Sequence, residues 1–450
     1  MSNNENVSKS TTVGEDGIFD VKKLGIPKTL ILGLQHVFAM FGATVLVPLL
    51  TGLSVSTTLL MAGLGTLLFH FLTGRKVPAF LGSSFAFLGG YAAVAPMIGE
   101  GADMVPNAEM LPYACGGVFV AGFVYVILAG LIKFFGIKKI MRFFPPVVTG
   151  PIIISIGLIL APTAITNCQN NWLLALIALG VIIIANIWGK GMVKIIPIML
   201  GIIVSYIIAL IMGEVDFSGV KTASMIGSPI DFSMIAKFSI SSIITIVPIS
   251  LATMMEHIGD ISAISATTGK NYLANPGLHR TLLGDGLATS MSALFGGPAN
   301  TTYGENTGVL ALTKVYDPLV MQIAAVFAII LSILPKFSAI VSSIPVAIIG
   351  GVSLILYGMI SAIGIRNVVE NHIDFTKSRN LIIAAVILVT ALGFSSLGSS
   401  GITFEIFETS ISISGLAIAS ITGILLNAIL PGNDYVFDAN DQHDELTFKV

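Results

Sequence analysis

The sequence predicts an all-α membrane protein with fourteen transmembrane segments in two inverted repeats of seven, two of them discontinuous segments containing short extended stretches. Three observations carry this expectation. Mean hydropathy is +0.94 with only 10% charged residues. Apolar runs long enough to cross a bilayer follow one another along the chain, and Lys and Arg gather in the connections on one side. With 54% hydrophobic residues in a chain of 450, the composition lies far outside that of soluble domains. No nucleic-acid partner is suggested by a net charge of −2. The two cysteines, Cys115 and Cys168, are too few for a disulfide framework or a metal site and read as structural. The first 28 residues are polar, have no signal-peptide pattern, and read as a cytoplasmic tail.

A helix needs roughly 20 mostly apolar residues to cross the hydrocarbon. Such runs occur at 29–50, 55–72, 112–135, 145–165, 172–188 and 194–213, then at 238–259, 277–295, 318–335, 338–361, 380–396 and 410–430. Segments 78–99 and 298–313 are rich in Gly, Ser, Thr and Pro, and too polar or too broken at one end for plain helices. Counted as crossings, they complete fourteen. The positive-inside rule supports counting them. With the N-terminus inside, the inner loops collect Arg75, Lys76, Lys133, Lys138, Lys139, Arg142, Lys190, Lys194, Lys270, Arg280, Lys314, Arg366, Lys377 and Arg379. The outer loops hold Lys221, Lys237 and Lys336. Dropping either broken segment would reverse every later loop.

The repeats are predicted at 29–213 and 238–430, with a cytoplasmic tail at 431–450. GLGTLLFHFLTG at 63–74 matches GLATSMSALFGG at 286–297 in its small residues, and a Pro-Ala pair and a broken segment follow each. Gln35-His36 and Glu256-His257 occupy corresponding places. Seven crossings per half makes the halves inverted, an arrangement that places broken segments face to face near the midplane of many carriers.

Non-helical backbone at membrane depth is tolerated only where protein or a watery cavity surrounds it. PAFLGSSFAF and PANTTYGENT therefore mark an internal site, and aligning Pro78 with Pro298 sets Phe85 opposite Glu305 and Ser84 opposite Gly304. If extended stretches feed half-helices there, backbone N–H groups point into one cavity. The alternative is a pair of kinked helices packed through small residues. An ionisable residue within a span costs about 2.5 to 3.5 kcal/mol on insertion and marks function by default. Glu256 is the foremost such residue. Asp260 lies one turn later on the same face, and two acids this close suit a group that holds or releases a proton. Asp260 could equally be an interfacial residue solvated at a helix end. Asp285, just within its span, either pairs with Glu256 or its neighbours or is interfacial. His257 reads as a hydrogen-bonding residue facing another helix, His36 as structural or cavity-lining, and His70 and His279 as interfacial. Isolated histidines provide neither a metal cluster nor a nucleophile–base pair, so no enzyme, metal or cofactor is expected.

QHVFAMFGATVLVP, PAFLGSSFAF, EHIGD, NPGLHR, NTTYGENTGVLALT and GGVSLILYG together resemble the nucleobase-ascorbate transporter family, most nearly its bacterial uracil permeases, in order from about residue 29 to 430. The resemblance implies a core domain that binds substrate, a gate domain that mediates a homodimer, and proton-coupled uracil uptake across the bilayer of the cytoplasmic membrane. By motif, Glu256 would hydrogen-bond the pyrimidine edge and Glu305 would bind or brace the ring. The backbone of Phe85 and Gly304 would supply further hydrogen bonds, with Ala43, Tyr303 and Tyr357 shaping the pocket. Proton coupling would fall to Glu256, Asp260 and Asp285. Uracil carriers often have His at the place of Asp260 and Asn at that of Asp285, where xanthine carriers have Asp. Purine carriers in turn show Gln-Asn where this chain has Glu305-Asn306. A xanthine or other purine permease is thus the alternative, and an anion channel or exchanger of the same architecture a more distant one.

Overall fold

The computed structural model describes residues 17–99, 105–396, 402–406, 409–433 and 435. The first half comprises α1 (Ile26–Thr51), α2 (Val55–Leu72), β1 (Leu81–Ser83), α3 (Leu88–Val94), α4 (Leu111–Phe135), α5 (Pro146–Gln169), α6 (Trp172–Trp188) and α7 (Pro197–Met212). The second comprises α8 (Ile240–Ile246), α9 (Ile249–Thr268), α10 (Leu278–Leu294), β2 (Asn300–Thr302), α11 (Glu305–Thr313), α12 (Pro318–Ser332), α13 (Pro335–Ser342), α14 (Val346–Glu370), α15 (Ser378–Ser396), the hairpin β3 (Ile402–Ile406) and β4 (Thr409–Ile413), and α16 (Gly415–Ile429). Among the described residues seven helices are long and apolar enough to cross a membrane, or eight if the bent pair α12–α13 is one span. The protein is a multi-pass helical membrane protein.

Four expectations change. The apolar run at 238–259 is α8 followed, across Pro248, by α9, which continues to Thr268 before Gly269 caps it at φ +69°. The runs at 318–335 and 338–361 divide differently, because α12 and α13 meet at an 87° bend and α14 starts after Pro345. Pro335 and Pro345 carry no N–H to donate back and crowd the preceding turn, which favours a helix starting at or just after each of them. The final run starts at Gly415 rather than 410. Alternating β-branched and small residues in TSISI suit a strand, and residues 409–413 pair with 402–406. Lastly, of the expected tail at 1–28, residues 17–28 are packed against the helices and residues 1–16 lie outside the described residues. Ile18 N–H donates to the Lys314 carbonyl (2.8 Å) and Tyr316 N–H to the Ile18 carbonyl (2.7 Å). Phe19 packs against Tyr316, Lys270 Nζ sits 3.7 Å from the Phe19 ring centroid, and Val21 is fully buried. The expected tail at 431–450 lies, apart from 431–433 and 435, outside the described residues.

The helices pack in two sets. In one, α10 lies along α4 and α2, and α12 along α2 and α1. In the other, α14 lies along α5 and α6, α15 along α5 and α16, and α6 along α7. Lipid tails are as apolar as leucine, so helices associate through close packing of small residues rather than through hydrophobic expulsion. Gly122 of α4 and Gly286 of α10 do this reciprocally, since a Cβ on either would collide with the other's carbonyl oxygen. Gly150 of α5 and Gly364 of α14 make the corresponding approach in the second set.

Replacing Gly122 by Leu is expected to destabilise the protein by about 1–3 kcal/mol through overpacking, read as a lower thermal midpoint in detergent. The same change at Gly130 on the same helix, where nothing lies within 4 Å of an added Cβ, should leave the midpoint in place.

Candidate functional site

The two broken segments form one antiparallel ribbon inside the first helix set. Leu81 pairs with Thr302, Gly82 with Thr301 and Ser83 with Asn300. The ladder is extended by Ser84 N–H to the Ala299 carbonyl (2.9 Å) and Tyr303 N–H to the Phe80 carbonyl (3.0 Å). Pro78 and Pro298 disfavour helix in the residues before them, which lets the chain run extended. Each strand then turns into a short helix, a 3-10 turn at Phe85–Phe87 with α3 on one side and α11 on the other.

Polar side chains on the preceding helices meet the backbone groups that the ribbon leaves over. Thr66 of α2 accepts from Leu81 N–H (2.9 Å) and lies 3.3 Å from the Leu81 carbonyl. Thr289 of α10 donates to the Asn300 carbonyl (2.9 Å). These threonines occupy the same place in the matched stretches 63–74 and 286–297, and each secures the strand after its helix. Asn300 Nδ2 donates to the Met61 carbonyl (2.7 Å), and Asp285 Oδ1 accepts from Thr302 N–H (3.0 Å). His70, read as interfacial, is instead buried, with Nε2 3.0 Å from the Ala79 carbonyl.

Around the ribbon stand four carboxylates. Glu256 and Asp260 come from α9, Glu305 opens α11, and all three are half-buried; Asp285 of α10 is fully buried. Glu256 and Glu305 lie within electrostatic range of each other, and Asp260 within range of Glu256, Glu305 and Asp285. Gly304 is exposed, and a Cβ there would sit 3.1 Å from Asp260 Oδ1. Asp260 is not at a helix end, because α9 runs two turns further, and its Oδ2 accepts from the Thr302 hydroxyl (3.1 Å). Nor is Asp285 interfacial: besides Thr302 N–H it has His257 Nδ1 3.1 Å from its Oδ2. Glu305 sits in the first turn of a helix, where the dipole favours negative charge.

The remaining residues divide between lining and bracing. Phe85 meets Tyr357 of α14 edge-on, with ring centroids 6.4 Å apart, so an aromatic contact joins the two helix sets beside the acids. Tyr303 is buried, and its hydroxyl donates to the Ser83 carbonyl (2.9 Å) while accepting from Thr44 Oγ1 (3.3 Å). Ala43 is fully buried, and its carbonyl faces Ser83 Oγ at 3.3 Å. Tyr303 and Ala43 thus tie α1 to β1, whereas Glu256, Asp260 and Glu305 keep part of their surface exposed. His36 is buried and holds the Asn306 amide, Nδ1 to Nδ2, at 3.1 Å. Sequence reasoning missed Thr66, Thr289, Thr302 and Ser83. For the first two a signal existed in the internal repeat; for the others hydroxyl residues were too common to single out.

A multi-pass helical protein that places a hydrogen-bonded ribbon and a group of carboxylates in its interior, next to an aromatic contact between two helix sets, is built as a carrier of small solutes. Residues 27–398 match the profile of the Permease family, Xan_ur_permease, and the chain belongs to this family of nucleobase-ascorbate transporters, whose members are permeases rather than enzymes. It is 43% identical over 414 residues to the uracil permease of Bacillus caldolyticus, covering 89% of this chain and 91% of that one. To the uracil permease of Bacillus subtilis (strain 168) it is 40% identical over 430 residues, covering 91% and 94%. Among solved structures, the transmembrane domain of a cyanobacterium bicarbonate transporter, BicA, has the same fold at TM-score 0.58 with 16% identity, over 90% of this chain and 99% of that one.

Replacing Tyr303 by Phe removes the hydroxyl that donates to the Ser83 carbonyl and leaves Thr44 with only the Met40 sulfur as an acceptor. A loss of about 1–3 kcal/mol is expected, measured as a drop in thermal midpoint. An unchanged midpoint would show that the link between α1 and β1 contributes nothing.

Proposed function

We propose that this protein imports uracil by proton-coupled symport with alternating access. The observation that carries the reading is the approach of Glu256 and Glu305 beside the two broken segments, in a chain whose relatives are uracil permeases. Uracil presents N–H donors that suit carboxylates, carbonyl oxygens that suit backbone N–H groups, and a flat face that suits an aromatic ring. In this reading Glu256 and Glu305 bind the ring, the backbone of Phe85 and Gly304 adds hydrogen bonds, and Tyr357 closes the pocket against Phe85. Ala43 and Tyr303 shape it from behind. Asp260 and Asp285, with Glu256, handle the proton.

The same reading takes the chain as fourteen crossings in two inverted repeats of seven, residues 29–213 and 238–430, with both termini on the cytoplasmic side of the cytoplasmic membrane. The packing pairs support it. The α4–α10 contact has its counterpart in α12–α2, α5–α15 in α14–α6, and α6–α7 in α15–α16. The helix set that holds the ribbon serves as the core and the set built on α5 and α14 as the gate, across which the homodimer forms. A second reading, a xanthine or purine permease, is favoured by Asp260 and Asp285. An anion channel or exchanger of the same architecture would want positive charge where this chain sets carboxylates.

Proteoliposomes loaded with the purified protein should accumulate labelled uracil under an inward proton gradient and lose that accumulation when the gradient is collapsed. Excess xanthine should fail to compete; strong competition would transfer the assignment to the purine reading. Glu256→Gln is expected to abolish uracil binding, and near-normal uptake by this variant would remove Glu256 from the site. For Asp260→Asn the expected outcome is retained binding with accumulation lost, and unchanged accumulation would take Asp260 out of the proton pathway.

A further inference from the structure

Thr302 contacts three ionisable side chains from two helices. Its N–H donates to Asp285 Oδ1 (3.0 Å), its hydroxyl donates to Asp260 Oδ2 (3.1 Å), and the same oxygen lies 3.1 Å from His257 Nδ1. His257 Nδ1 is also 3.1 Å from Asp285 Oδ2, an ion-pair distance to an oxygen that has no hydrogen-bond partner. Thr302, His257 and Asp285 are buried, while Asp260 is half-buried beside exposed Gly304. His257 Nε2 has no hydrogen-bond partner, so the ring is held through its Nδ1 edge and its contact with Phe69.

We propose that Thr302 is a positioning residue for the coupled proton, joining half-buried Asp260 to the sealed His257–Asp285 pair so that strand β2 senses whether Asp260 carries a proton. The inference rests on the proton-coupled reading above and assigns it a link that the acids alone do not provide.

A threonine hydroxyl has one proton to donate and two lone pairs to accept with. While Asp260 is a carboxylate it takes the hydroxyl proton, and the oxygen is free to accept the Nδ1–H of His257. A protonated Asp260 is itself a donor. Its O–H then occupies one lone pair of Thr302 and the hydroxyl proton loses its charged acceptor, while His257 Nδ1–H, which still has the second lone pair within reach, is shared between Thr302 and the Asp285 carboxylate. No proton leaves Asp260 by this route; what changes is which group donates to which. Hydrogen bonds to charged groups are roughly twice as strong as neutral ones, so the exchange alters what holds β2 in place. Because Tyr303, Gly304 and Glu305 follow directly, the change reaches the substrate side of the ribbon. Glu256, Glu305 and Asp285 also face Asp260, Tyr125 of α4 lies near Asp285 and Glu256, and Tyr303 lies near Glu305 and Glu256. These groups influence when Asp260 takes up its proton, and a change at Thr302 leaves them all present.

The test compares wild type, Thr302→Ser, Thr302→Val, Asp260→Asn and the Thr302→Val/Asp260→Asn double variant in proteoliposomes. It reads uracil exchange without a gradient, accumulation under an inward proton gradient, and the pH profile of initial uptake. Thr302→Val should still exchange uracil but lose about tenfold in accumulation, the size of an ordinary coupling between sites, with a flattened pH profile. Thr302→Ser should restore accumulation and profile, and Thr302→Val should add nothing to Asp260→Asn. Wild-type accumulation and pH profile in Thr302→Val overturn the proposal. So does a parallel loss of exchange and accumulation, which marks a merely structural residue, and so do independent effects in the double variant. A wild type that exchanges uracil but never accumulates it under the gradient fails the proton reading itself, and is told apart because every failure of the Thr302 link leaves wild-type accumulation intact.

Discussion

The structure depends on one constraint: backbone amides placed at membrane depth must find their hydrogen-bond partners within the protein. Two three-residue strands cannot satisfy this alone, because a two-stranded ribbon leaves N–H and C=O groups along both outer edges. Here those edges are met by side chains from the helices that precede the strands, Thr66 for Leu81, Thr289 for Asn300 and Asp285 for Thr302. A lost partner would leave an unpaired buried group, at a cost of about 1–3 kcal/mol. The ribbon in turn decides where the short helices begin, and therefore where Glu305 and Phe85 stand. The polar residues of α2 and α10 are thus the reason a non-helical site can persist inside an apolar chain.

Negative charge gives the site its character. Glu256, Asp260, Asp285 and Glu305 occupy one neighbourhood. The arrangement distinguishes them by environment. Asp285 is sealed and bound to a backbone N–H, while Glu256, Asp260 and Glu305 remain open. A related fold carries a different solute in the bicarbonate transporter, as expected when function resides in the side chains placed on a fold and not in the fold itself.

Two contacts extend the site beyond its own elements. Phe85 against Tyr357 joins the ribbon to α14 of the second helix set, so relative motion of the sets would be felt at the aromatic wall of the site. At the far end of α11, the backbone pairing of Ile18 with residues Lys314 and Tyr316 fastens the N-terminal segment to the connection that follows this helix. The half-helix bearing Glu305 is therefore held at both ends, by β2 before it and by residues 17–24 beyond it.

Much of this was legible in order along the chain. Apolar run length showed where α2, α6 and α15 lie almost to the residue, because crossing hydrocarbon imposes a minimum length on any helix. Gly, Pro and hydroxyl residues flagged both broken segments, since lipid cannot tolerate their open backbone without a protein partner. Local pattern misplaced α14 and the start of α16, where a proline bend and a strand hairpin interrupt runs of unchanged hydropathy. It also left Asp260, Asp285 and His70 between interfacial and interior readings. By itself the sequence determined that the protein is helical, spans the membrane and carries acids next to interrupted segments, because insertion energetics depend on composition over one turn after another. Only the tertiary structure decided that Thr302 touches Asp260, His257 and Asp285 together, and that Tyr303 is buried as a brace while Glu256 and Glu305 stay half-buried. Hydrogen bonds between residues 42 or 220 positions apart depend on how helices cross, and no periodicity within a segment records that.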